Sequence, residues 1–142
     1  MNISSFRIIT FGIFVLIVGI IFYLVSKQAR ENYSQYNPII KTLKQEILSC
    51  FPELVHLQVF EDNKSYTINK EKIYLCIRDR YGQYYEKNIL MYVLLHEIAH
   101  TLCTDVGHTE QFKEIFNILL QRATDAGIYK HVEIPTDYCK FD

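Results

Sequence analysis

The chain has 142 residues, 15 basic against 16 acidic side chains, a formal charge of −1 and 49% hydrophobic residues. That length holds no more than one soluble domain, and a balanced charge without a phosphate-tracking basic run argues against direct nucleic-acid binding. The four scattered cysteines, Cys50, Cys76, Cys103 and Cys139, form no C-x-x-C pair, which excludes a zinc ribbon and predicts reduced structural thiols, with two disulfides as the lumenal alternative.

Residues 8–25, IITFGIFVLIVGIIFYLV, carry no charge. As a helix rising 1.5 Å per residue they cover about 27 Å, enough to span a bilayer. A cleaved signal peptide would have a shorter apolar core followed by small residues, whereas Lys27 and Gln28 stand there, so residues 1–25 read as an uncleaved transmembrane anchor. Arg7 on one side nearly balances Lys27 and Arg30 on the other, and the C-terminal domain is expected to be cytosolic on a host or virion membrane. Beyond the anchor the charge is about −4. Residues 26–37 are polar without an apolar period and are expected to form a juxtamembrane linker, leaving 38–142 as the folded domain. Asn32 and Asn63 begin N-x-S sequons, which become glycosylation sites if the domain is lumenal.

From Pro38, suited to a helix's first turn, Ile39, Ile40, Leu43, Ile47 and Leu48 recur at helical spacing until Pro52. The segments LVHLQVF, SYTIN and KIYLCI, separated by EDNK and NKEK, predict a three-stranded antiparallel meander. A polar connection, RDRYGQYYEKN, leads to a helix over about 87–103 with Leu90 or Met91, Leu94, Leu95, Ile98 and Leu102 facing inward. Gly107 breaks the chain, Thr109 is placed to cap a second helix over about 110–126, and Gly127 stands where a C-terminal glycine belongs. A short strand is expected around 130–134. The fold class is α+β: N-terminal helix, meander, long helix and C-terminal helix, preceded by a single transmembrane helix.

Three of the five histidines fall within LLHEIAHTLCTDVGHTEQF. On a helix, His96 and His100 lie one turn apart and present their imidazoles to one metal ion, while Glu97 points to the adjacent face. Catalytic zinc needs three protein ligands and an open position. The turn from Cys103 to Gly107 brings the next helix's start back, making His108 the best third ligand; Glu110 and Glu114 are alternatives. Glu97 is then the general base for a zinc-activated water in peptide hydrolysis. The same pattern arises by chance in about one chain in a hundred of this composition, and its setting in a helix beside an apolar stripe with a third histidine nearby sharpens it.

Cys103 shares a helix face with His96, but a buried small hydrophobe is its plainer role. Asp105 is read as a turn residue rather than a histidine orienter. Tyr81, Tyr84, Tyr85 and Tyr129 are candidate oxyanion donors, with packing as the commoner role. His56 and His131 are read as structural.

The sequence HEIAH followed by GHTEQF opening a helix resembles the SprT-like and WLM zincin metallopeptidases, with the match covering about residues 73–127. The resemblance implies that His96, His100 and His108 bind Zn2+ and that Glu97 is the general base. It further implies that KIYLCI, the strand before the helix, is the edge along which an extended substrate lies. Seven residues separate His100 from His108, a spacing that differs from the commonest WLM pattern. Known members act on proteins crosslinked to DNA; an anchor, an acidic domain and no zinc ribbon do not support that substrate here. Compact membrane-tethered relatives occur in large DNA viruses. The expectation is a membrane-anchored zinc metallopeptidase acting on a protein or peptide substrate. Its alternative is a catalytically silent, zinc-stabilised binding module.

Overall fold

The computed structural model describes residues 3–140. The chain divides into two compact units, Met1–Tyr33 and Ser34–Asp142. The first unit is most of helix α1 (Ile3–Gln35). Its segment from Arg7 to Gln35 has a mean hydropathy of 2.9 over its most apolar window and is long and apolar enough to cross a membrane. Ile8 through Val25 expose their large side chains all round the helix rather than burying one face. Helix α1 continues through the segment read as a linker, 26–37, as far as Gln35: its residues, largely Lys, Gln, Ala, Arg and Glu up to Glu31, propagate a helix already nucleated by the apolar segment.

The second unit begins with α2 (Pro38–Cys50), where Asn37 caps by accepting from Ile39 N at 2.9 Å and Pro38 takes the first position. A single 3-10 turn, Pro52–Leu54, leads into β1 (Gln58–Glu61), followed by β2 (Tyr66–Ile68), β3 (Lys72–Leu75), α3 (Lys87–Leu102) and α4 (Glu110–Asp125). This is the α+β architecture expected. Helices α2, α3 and α4 end within a residue or two of their predicted bounds because caps and apolar periodicity are local signals. At α4, Thr109 Oγ1 accepts from Phe112 N at 3.3 Å, and Gly127, with φ +72°, follows the last turn.

The sheet departs from the predicted meander. Its order is β1-β3-β2, with β1 parallel and β2 antiparallel to β3. Strand β3 takes the centre because Ile73, Tyr74, Leu75, Cys76 and Ile77 are all buried. A run apolar on both faces cannot lie at a wet edge. The connection 62–65 therefore crosses the end of β3, Asp62 N donating to Leu75 O (3.1 Å) and Cys76 N to Ser65 Oγ (3.0 Å). A tight turn with positive φ at Asn69 and Lys70 then returns β2 to β3. KIYLCI is thus not the open edge, and β2 holds that place beside α3.

Helix α3 is enclosed by the sheet, α2 and α4, so that Leu90, Met91, Leu94, Leu95 and Ala99 are wholly buried. Leu102, predicted inward, is 45% exposed, and Cys103 fills the interior in its place. No strand forms at 130–134; the tail runs irregularly back over the end of β3. There Cys76 and Cys139 form a disulfide across a separation of 63 residues, correcting the expectation of reduced thiols for that pair, while Cys50 and Cys103 remain free. The bridge forms because Tyr138 brings the tail to β3: its hydroxyl donates to Cys76 O at 2.5 Å, and Tyr85 Oη accepts from Cys139 N at 3.0 Å.

Candidate metal centre

Helix α3 delivers His96 and His100 from successive turns, and the 103–109 turn returns His108 to them. Gly107 permits that return: its φ of +86° is open to glycine and strained for side-chain-bearing residues. His108 Nε2 lies 3.0 Å from His96 Nε2 and 3.2 Å from His100 Nε2, and all three ligand atoms fall within 4.8 Å of one another. A tetrahedral zinc with Zn–N bonds of 2.0–2.1 Å sets its nitrogens about 3.3 Å apart, so the spacing fits such an ion. Chemistry agrees, since metal-binding imidazole must be neutral. Burial, then the charges of His100 and His108, push the His96 pKa down to about 4. Burial, then His108, lower that of His100.

Phe112 forms the wall behind the cluster. Its ring centroid lies 5.0, 4.3 and 4.8 Å from those of His96, His100 and His108, and its side chain is buried. Glu97 is 7% exposed, between α3 and β2. Its Oε2 accepts a hydrogen bond from Thr67 Oγ1 at 2.9 Å. Burial raises the Glu97 pKa, and the Thr67 bond opposes that rise. Lys70, in the β2–β3 turn, donates to Cys103 O at 2.8 Å, satisfying a carbonyl at the end of α3. A cleft of about 660 Å³ opens here, bounded by residues 65–70 on one side and 105–108 on the other, with His96, Glu97 and His100 at its floor.

Glu97 and the three histidines therefore stand together. The alternative ligands do not join the cluster: Glu110 pairs with Lys113 at 2.6 Å, and among the described residues Glu114 is outside the histidine group. Cys103 is fully buried, its thiol donating to Gln111 Oε1 at 3.3 Å. Asp105 accepts from Thr109 Oγ1 at 3.0 Å and acts in the turn. None of the four tyrosine candidates lines the cleft. Tyr84 stacks under Arg78, Tyr85 packs on Tyr138, Tyr129 is buried beside Tyr92, and Tyr81 is exposed. Tyr66, Thr67 and Lys70 were missed; only knowing that β2 flanks α3 would have found them.

No protein-family model matches the chain. Among solved structures it resembles a Wss1 mutant from Saccharomyces cerevisiae, with a TM-score of 0.55 and 20% identity, over 72% of this chain and 90% of that one. This likeness shows the fold: the chain shares the α+β arrangement of that protein. The uncharacterized protein 042R of Invertebrate iridescent virus 3 is 52% identical over 75 residues, 52% of this chain and 47% of that protein. Thus the chain spans about half the length of that relative. The uncharacterized protein R325 of Acanthamoeba polyphaga mimivirus is 39% identical over 120 residues, covering 78% of this chain and 59% of its own length. The uncharacterized protein 136R of Invertebrate iridescent virus 6 is 42% identical over 133 residues, covering 77% of this chain and 75% of its own length. Identity of that degree over that share of both chains makes this protein a member of the viral family to which 136R of Invertebrate iridescent virus 6 belongs.

Proposed function

We propose that the protein is a membrane-anchored zinc metallopeptidase, with His96, His100 and His108 as ligands and Glu97 as general base. One observation carries the reading: three imidazole Nε2 atoms converge at 3.0 and 3.2 Å while the intervening glutamate is buried beside them at the floor of an open cleft. Zinc held by His96, His100 and His108 would supply Lewis-acid polarisation of the scissile carbonyl and a lowered pKa for the attacking water. The chain's own residues do the rest. The depressed basicity of His96 and His100 keeps both imidazoles neutral and able to ligate. Glu97 takes the water's proton on its carboxylate and returns it to the leaving amine. The cleft admits an extended protein segment beside β2, and α1 supplies the membrane tether.

The test is metal content of the full chain in detergent, with self-cleavage followed on the same samples. One zinc per chain, weakened in His108→Ala but retained in Glu97→Gln while cleavage stops, is the expected result. Zinc retained throughout with no cleavage dependent on Glu97 would replace the enzyme by a zinc-stabilised binding module, and a folded protein without zinc would overturn both.

The Cys76–Cys139 bridge favours an orientation opposite to the cytosolic one expected, because such bonds persist on the oxidising side of a membrane. Asn63 is exposed and heads a sequon on that domain. A glycosidase-sensitive mass shift lost in Asn63→Gln supports the lumenal placement, and cleavage of the domain by protease added to the cytosolic face of intact vesicles refutes it.

A further inference from the structure

The hydroxyl of Thr67 makes two contacts to one residue on a different element, 2.9 Å to Glu97 Oε2 and 3.2 Å to Glu97 O. Strand register explains how it reaches there. Thr67 pairs with Ile73, a core residue with no exposed surface, while the neighbouring pair Tyr66 and Tyr74 stack with ring centroids 4.7 Å apart. Successive strand residues face opposite ways, so Thr67 is the one residue of the three-residue strand aimed with Ile73 at α3. From there its single proton is shared between the carboxylate, the shorter contact, and the backbone carbonyl of the same helical residue, which limits the carboxylate's swing. Oε2 is thereby engaged, whereas Oε1 carries no hydrogen bond from another described residue.

We infer that Thr67 is the positioning residue of Glu97, holding the carboxylate by one oxygen so that the other is presented for proton transfer; this rests on the peptidase reading. Packing alone would not require the hydroxyl. The hairpin is pinned to α3 independently by Lys70 Nζ on Cys103 O, so a valine at position 67 keeps the strand's shape and place while releasing the carboxylate. A misplaced general base loses rate in the chemical step, with little effect on substrate binding.

The experiment uses the full chain in detergent, loaded with zinc, and fluorescent casein as an unstructured protein probe. Thr67→Val is expected to lower kcat by about 10- to 100-fold with KM within about twofold. Its zinc content should equal that of wild type, and Thr67→Ser should recover most of the rate. Wild-type kcat in Thr67→Val, or a serine variant as slow as the valine one at equal zinc content, would overturn the inference. Glu97→Gln separates the two readings: if it cleaves casein like wild type, the peptidase proposal fails, whereas an inactive Glu97→Gln beside a fully active Thr67→Val sinks only the role of Thr67. A cycle of Thr67→Val and Glu97→Ala in urea unfolding needs no substrate. Non-additivity of at least about threefold in the unfolding constant is expected, and strict additivity overturns the contact itself.

Discussion

Reducing the Cys76–Cys139 bridge tests how strongly the tail constrains the scaffold of the candidate metal centre. The cysteines are 63 residues apart, and the chain between them holds α3, the turn bearing His108, and α4. Cutting the cross-link returns loop entropy to the unfolded chain; for a loop of about 63 residues this is about 14 cal/mol/K, or about 4 kcal/mol at 25 °C. Domains of this kind are stable by about 5–15 kcal/mol, so the loss is at least about a quarter of the total. The native tail keeps its non-covalent holds, Tyr138 Oη on Cys76 O and Cys139 N on Tyr85 Oη. The effect therefore acts mainly through the unfolded state. The assay is urea unfolding of metal-free protein with and without a phosphine reductant, beside Cys139→Ser. With a denaturant slope of about 1.5 kcal/mol/M, the midpoint should fall by about 2–3 M and the slope should rise as the unfolded chain expands. Zinc at about a thousand times its Kd adds about 4 kcal/mol to the native state, so reduced zinc-loaded protein should regain the stability of oxidised metal-free protein. An unchanged midpoint on reduction, with Cys139→Ser equal to wild type, would refute the reasoning.

Two further outcomes follow from the packing around the site. Phe112→Ala removes the ring shared by all three histidines and should cost about 3–5 kcal/mol of stability and weaken zinc about 10- to 100-fold. Chelator competition reads the second effect, and undiminished affinity in Phe112→Leu would mean the imidazoles are held without that wall. Tyr138 sets an alkaline limit: burial, opposed by its bond to Ser65, pushes its pKa up to about 12 from 10.0. The unfolded phenol loses its proton first, so the stability this group contributes is fully present below pH 10 and is lost as pH rises from 10 to 12, about 3 kcal/mol in all. Tyr138→Phe should flatten that slope in metal-free unfolding measured from pH 9 to 12, and an identical slope in the variant would assign the loss elsewhere.

The parts of this protein that were legible in its sequence are those encoded within a helical turn or two. His96 and His100 share a face because they are four residues apart, Thr109 caps α4, and Gly107 supplies the reversal that returns His108. Sheet order is not encoded that way. The turn-like segments EDNK and NKEK look alike in composition, yet the first crosses the end of a strand and the second closes a hairpin. The decisive clue was the uninterrupted burial potential of KIYLCI, which demands a neighbour on each side and so draws β3 between β1 and β2. Cysteine pairing was equally non-local, since it depends on an irregular tail guided by Tyr138. The distinction reaches the chemistry. The three clustered histidines are brought together by helical spacing and one short turn and would survive a different strand order, but the partner of Glu97 would not: exchange β2 and β3, and the residue facing Glu97 is no longer Thr67 but an aliphatic side chain of the core strand. Local sequence thus specifies which atoms gather at the centre, while the order of three short strands decides whether the buried carboxylate among them is held by a hydroxyl or left unpartnered.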